Sequence, residues 1–84
     1  MKRKIKLNTI YEHFKGNKYI VLDVAKDSET LKDVVVYRAL YNDNKLYVRD
    51  IDNFLSEIDH KKYPNINQKY RFQEIIVKDE RNDK

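Results

Sequence analysis

His13 and His60 are the only imidazoles in a chain that has no cysteine, so any acid–base chemistry near neutral pH falls to them first. A catalytic base needs a nucleophile and an orienting group within hydrogen-bond reach. Ser28 and Glu29 could fill those roles for His13, but no spacing demands it. A structural histidine bonded to its own turn is the simpler reading. His60 stands in a lysine-rich stretch and reads as exposed. Ser28-Glu29-Thr30 invites two readings. Thr30 with Asp33 three residues on has the form of a capping box, and Ser28 can close its own turn. Alternatively the loop presents Glu29 to a cationic group of a partner. Arg38 and Arg49 are the basic residues with strong strand context, each suited to a ligand contact or to an ion pair.

The tyrosines Tyr11, Tyr19, Tyr37, Tyr41 and Tyr47 carry the most interest. Aromatic-lined grooves bind extended peptides, and single-stranded nucleic acid stacks on such rings. A small β domain also needs large side chains to fill it, so core packing is expected for any one ring, with at least two rings on the surface. Other chemistry is excluded or disfavoured. A single glycine rules out a phosphate-cradling loop. No carboxylate or histidine group has metal-ligand spacing, and no cofactor is expected. Paired-carboxylate glycoside chemistry would need a cleft that 84 residues with a filled interior can hardly offer.

The absence of cysteine excludes disulfides, thiolate zinc sites and cysteine nucleophiles. Charged residues make up 38% of the chain, yet seven tyrosines and three phenylalanines argue for a folded domain. No apolar run has the length of a signal peptide or a membrane span, so a cytoplasmic location is expected. The net charge of +4 invites a nucleic-acid reading, but its distribution is narrow. Lys2, Arg3, Lys4 and Lys6 account for it: the 18 basic residues less these four leave 14, equal to the 14 acidic ones. Four phosphate contacts would give a salt slope of about −3.6, the signature of a weak, non-specific binder. A flexible basic arm over residues 1–6 is expected, with a polar tail over 79–84.

The elements that must position these side chains are mostly strands. Ile10 to Phe14 and Tyr19 to Ala25 flank Lys15-Gly16-Asn17-Lys18, where Gly-Asn predicts a two-residue hairpin turn. Val34 to Tyr41 is the strongest strand pattern. Asn42-Asp43-Asn44 predicts a turn before a short strand at Lys45 to Val48. Asp50 has the character of an N-cap, and Ile51, Phe54 and Leu55 form one apolar stripe on a short helical turn. Lys61 to Lys69, with the only proline, reads as a loop. Tyr70 to Val77 can form a last strand.

The two central strands predict a ribbon. If Asp23 and Arg38 both avoid the core, they sit opposite one another. Ile20, Leu22 and Val24 then face the same way as Val35, Tyr37, Ala39 and Tyr41. The other face holds Tyr19, Val21 and Ala25 with Val36 and Leu40. Both faces are largely apolar, which predicts cover on both sides: a closed barrel with another segment over it, a partner, or a second copy.

Tyr11-x-His13-Phe14-Lys15-Gly16-x-x-Tyr19-x-Val21-Leu22, Ser28-Glu29-Thr30 and Val35-Val36-Tyr37-x-x-Leu40-Tyr41, in this order, resemble the DUF1653 family. The likeness extends through Leu46 to Arg49 and Phe54-Leu55. Its members are small bacterial proteins of uncharacterised function, and the resemblance implies a mainly β fold, an SH3-like β-barrel, and no reaction. Asp27 replaces the histidine usual before Ser-Glu-Thr, Tyr47 a frequent tryptophan and Asp50 a frequent proline. The expectation is a single-domain, non-catalytic binding module over residues 1–84, with the barrel at about 8–77. Its candidate residues are Tyr11, His13, Lys15, Ser28, Glu29, Thr30, Tyr37, Arg38 and Arg49, recognising a protein or peptide segment or pairing as a homodimer. A nucleic-acid adaptor using the basic arm is the alternative, and a small enzyme centred on His13 comes third.

Overall fold

The computed structural model describes residues 3–75. Five antiparallel strands form one sheet: β1 (Thr9–His13), β2 (Lys18–Lys26), β3 (Asp33–Ala39), β4 (Leu46–Asp50) and β5 (Phe72–Glu74). One short helix, α1 (Ile51–Phe54), follows β4 directly. The sheet order is β4-β3-β2-β1-β5. The mainly β architecture and the helical turn agree with expectation, but the sheet is not closed into a barrel: β4 and β5 are its two free edges. Ile76 and Val77, the end of the predicted last strand, and the expected tail at 79–84 lie outside the described residues.

Local chemistry explains the connections. The β1–β2 hairpin is wider than the two-residue turn that Gly-Asn suggests. His13 N–H donates to the Asn17 carbonyl at 2.8 Å and Gly16 N–H to the His13 carbonyl at 2.7 Å, closing a three-residue loop. Gly16 adopts φ +108°, the left-handed position such a loop requires and a side chain resists. Asn42 and Asn44 take positive φ in the β3–β4 turn, as asparagine does most readily. Asp50 caps α1 by accepting the Asn53 N–H at 3.1 Å.

The register of the central ribbon departs from the predicted one. Val21 stands opposite Tyr37 but Asp23 opposite Val36, so Leu22 is an extra residue in a β-bulge. The bulge reverses the alternation of β2. Tyr19 and Val21 share the core face with Ala39 and Tyr37 ahead of it, and Val24 shares that face with Val35 beyond it. Asp23 and Arg38 do both avoid the core, yet they do not pair. Arg38 lies between Ile20 and Leu46 and donates to the Asn44 carbonyl at 3.0 Å, while Asp23 accepts its neighbour Val24 N–H at 2.8 Å.

Among the described residues, other elements pack on one side of the ribbon; on its other side Ile20, Leu22, Val34 and Val36 are half-buried. The inner face buries Tyr11, Val21, Val35, Tyr37, Phe54 and Phe72 in one cluster. Phe54 and Phe72 are stacked with centroids 4.0 Å apart, and Tyr11 and Tyr37 meet Phe54 edge-on at 5.3 Å each. On the outer face Val48 is 65% and Leu46 52% exposed. No strand or helix among the described residues crosses that face, because α1 packs through Phe54 on the inner one. The predicted second cover is therefore absent among the described residues, and with it the two-sided burial of the ribbon.

Candidate functional site

The inner face does not end where the core ends. Beyond the buried cluster the rings continue outward: Tyr19 meets Tyr37 at 5.2 Å and Tyr41 at 5.5 Å, and Tyr47 stacks on Tyr37 at 5.7 Å. The Tyr19 and Tyr41 hydroxyls share a hydrogen bond of 2.8 Å. Burial, followed by that bond to Tyr41, pushes the Tyr19 phenol above the ordinary range. The Tyr47 phenol is raised as well, first by the charge its neighbour Tyr41 would carry. These are neutral hydroxyls at physiological pH, suited to hydrogen bonding and ring contact. Tyr41 and Tyr47, with Ala39, Asn42, Asp43 and Lys45, line a recess of about 230 Å³ at the rim.

At the other side of Phe72 the cluster becomes cationic. The Arg49 guanidinium lies 5.1 Å from the Phe72 ring centroid; its Nε donates to the Tyr37 hydroxyl at 3.1 Å and its Nη1 to Asn53 Oδ1 at 2.7 Å. The His13 ring meets the Phe72 ring edge-on at 4.8 Å and stacks on Phe14 at 4.5 Å. Its Nδ1 accepts the Lys15 N–H at 3.1 Å. Burial, then the charges of Arg49, Arg71 and Lys15, lower its pKa to about 4. His13 is neutral at pH 7, and with Nδ1 accepting, the hydrogen sits on Nε2. No serine, threonine or carboxylate hydrogen-bonds to its ring among the described residues; the Lys15 N–H is the group that orients it.

The predicted candidates divide sharply. His13, Tyr37 and Arg49 converge around Phe72. Tyr11 is buried in the core, its hydroxyl accepting the Lys6 N–H at 3.1 Å. Lys15 is exposed, with Nζ 5.9 Å from the Phe14 ring centroid. Arg38 belongs to the outer face. Ser28, Glu29 and Thr30 sit exposed in the β2–β3 loop, organised by a residue the capping-box reading did not use: Asp27 Oδ1 accepts the N–H groups of Glu29 at 2.8 Å and Thr30 at 3.1 Å. Those two donors hold the Asp27 carboxyl below its ordinary pKa. Asp33 instead pairs with Lys26 at 2.9 Å, and Thr30 Oγ1 accepts the Lys32 N–H at 3.2 Å. The turn-forming reading of this segment fits these bonds. Leu31 completes the loop in a left-handed conformation, φ 62°, 69% exposed.

Arg71 is the residue that sequence reasoning missed. It lies just before β5, in a segment that the sequence offered only as a possible last strand. The larger cavity, about 540 Å³, lies along α1 and holds Asp33, Asp52 and Glu57 with Arg3, Ser56 and Tyr70. No group of three or more His, Asp or Glu side chains among the described residues could hold a metal ion. Arg3 spans the cavity wall, donating to the carbonyls of Leu55 at 3.0 Å and Phe72 at 2.9 Å with its guanidinium 3.8 Å from the Tyr70 ring centroid.

No helix among the described residues is long and apolar enough to cross a membrane. Comparison with known proteins finds no match among curated proteins or solved structures. A family model described as a protein of unknown function, DUF1653, matches residues 9–74, from the first residue of β1 to the last of β5. The chain belongs to the DUF1653 family.

Proposed function

We propose that this protein is a non-catalytic binding module, acting in the cytoplasm, that captures an extended protein or peptide segment along the free edge of β4. The observation that carries this reading is the strand itself. β4 is a sheet edge with three consecutive exposed apolar residues, Leu46, Tyr47 and Val48. An uncovered edge of this kind is a template for an added strand. Ala39 N–H donates to the Lys45 carbonyl, so Lys45, Tyr47 and Arg49 bond inward to β3. By alternation, the backbone groups of Leu46 and Val48 point outward and are free to pair, while the Asp50 carbonyl is taken by the first turn of α1. Tyr47 and the recess beside Tyr41 supply side-chain contacts on the same side.

A second copy fits this edge less well. Centring the antiparallel pair on Tyr47 sets Lys45 against Arg49 of the second copy, and like charges opposite one another destabilise a ladder. Centring it on Val48 sets Leu46 against Asp50 of the second copy. A different segment avoids both conflicts. The nucleic-acid alternative loses support from the arm, since Arg3 is committed to two carbonyls and a ring and Lys6 pairs with Glu74 at 3.3 Å.

The test is an array of blocked hexapeptides with alternating β-branched and variable positions, probed with the full chain and with Val48→Pro. Proline removes an outward N–H and leaves the β3 ladder intact. Retention of peptides by the native chain and its loss in Val48→Pro are expected. Retention that survives the substitution would displace the reading from β4. A dimer in sedimentation that Val48→Pro abolishes would replace the peptide by a second copy.

A further inference from the structure

Arg49 and Arg71 are held by one continuous set of neutral partners. Arg49 donates to the Tyr37 hydroxyl and to Asn53 Oδ1. The Asn53 carbonyl accepts the Ser56 hydroxyl at 2.6 Å, and Ser56 Oγ accepts Arg71 Nε at 3.2 Å. Tyr37, Asn53 and Ser56 thus fix two guanidiniums from behind, using the Nε of both. The Nη2 of Arg49 and both terminal nitrogens of Arg71 have no hydrogen-bond partner among the described residues.

What is missing is a counter-charge. The ion pairs among the described residues are Lys6 with Glu74 and Lys26 with Asp33. Neither arginine meets a carboxylate among the described residues, although both are half-buried. Partly withdrawing a cation from water without an opposite charge is unfavourable. The Phe72 ring beneath Arg49 offsets some of that loss and cannot replace an anion. Arg49, Arg71 and Lys15 all act on the His13 ring, which stays neutral beside them. Arg71, with both terminal nitrogens open, offers a fork that a planar carboxylate matches by two parallel bonds, and Arg49 adds its open Nη2.

We propose that Arg49 and Arg71 form a seat for a carboxylate side chain, aspartate or glutamate, on the segment captured by β4. The inference rests on the β4-edge reading and adds a chemical class to it. Lys45, Tyr47 and Arg49 follow one another along the inner side of β4, a basic, aromatic and basic sequence that favours an acidic segment over a neutral one. Arg49 belongs to both the strand edge and the seat, which links backbone pairing to anion recognition. Tyr37, Asn53 and Ser56 are positioning residues, acting through the arginines.

The experiment uses the same peptide array, each member made once with glutamate and once with glutamine at a variable position. It is combined with nitrogen-15 spectra of the arginine Nε–H groups. Expected are at least tenfold tighter retention of the glutamate members, shifts of the Arg49 and Arg71 Nε–H signals on binding, and a rise in the His13 pKa. Arg71→Gln should bring the glutamate and glutamine members to parity. Equal retention of both members, with β4 amides still shifting, would overturn the seat and leave the strand-edge reading standing. No retention of any member would overturn both. Inorganic phosphate or a short single-stranded RNA that moves the two arginine signals at lower concentration than the glutamate peptides would overturn the carboxylate assignment. So would a shift of those signals in the full chain on Asp79→Asn with Glu80→Gln, because the chain's own carboxylates would then occupy the seat.

Discussion

The two faces of one ribbon carry similar apolar character and meet opposite fates. The inner face of β2 and β3 is sealed by aromatic rings from α1 and β5, with Val35 fully buried. The outer face leaves Ile20, Val34 and Val36 half-buried, and where it continues onto β4 Val48 and Leu46 are more than half exposed. Composition alone does not decide burial. What decides it is whether another element brings rings of sufficient size to the same side, and Phe54 and Phe72 do so on one side only.

Breaking the inner face should produce the largest effect. Phe72→Ala removes the ring shared by Phe54, Tyr37, Tyr19, His13 and Arg49, at an expected cost of about 3–5 kcal/mol in urea denaturation. For a domain of this size that is enough to populate the unfolded state. A loss under 1 kcal/mol would mean the stack is not packed in solution.

The contrast between the faces can be measured with one chemical change made twice. Val35→Thr buries an unpartnered hydroxyl and should cost about 1–3 kcal/mol. Val48→Thr keeps the branched shape on an exposed strand and should stay within about 0.5 kcal/mol. Equal losses would show that the outer face is covered in solution after all.

His13 gives the inner face a pH dependence. Its pKa is 6.5 when unperturbed and about 4 in the fold, so between those values the unfolded chain binds more protons than the folded one. Stability is therefore complete above pH 6.5 and falls as the pH drops toward 4. The expected loss is about 1–2 kcal/mol once solvent screening of a partly exposed ring is allowed for. Denaturation curves at several pH values should show this slope in the native chain and a flatter one in His13→Asn.

A change of opposite sign is expected in the β2–β3 loop. Leu31 holds φ 62° with its side chain in solvent, a conformation asparagine tolerates better. Leu31→Asn should raise stability by up to about 1 kcal/mol, read as a higher urea midpoint. A decrease would mean that the leucine makes a contact of its own.

Much of the strand order was legible because β-branched and aromatic runs alternate with residues of definite turn chemistry. Asp50 could be read as a cap, and Asn42 and Asn44 as turn formers, from side-chain reach and backbone tolerance alone. The register of the ribbon could not, because a bulge leaves no mark in composition: Leu22 looks like any strand residue. The site was legible in part. His13, Tyr37 and Arg49 converge as a group, but Arg38 was indistinguishable from Arg49 until the bulge and the register assigned their faces. Arg71 required a pairing between the two ends of the chain, β1 with β5, that no local pattern announces. Barrel closure likewise depends on β4 and β5 meeting, a relation between strands far apart in sequence.

The extra residue in β2 also governs how the gene can change length. Removing Leu22 would make Val21 and Asp23 chain neighbours opposite the neighbouring residues Tyr37 and Val36, so the ladder becomes regular and both ends of the strand keep their faces. A one-codon deletion there would therefore be absorbed by the ladder, and what the nine-residue strand would lose is the bend and added twist of the bulge.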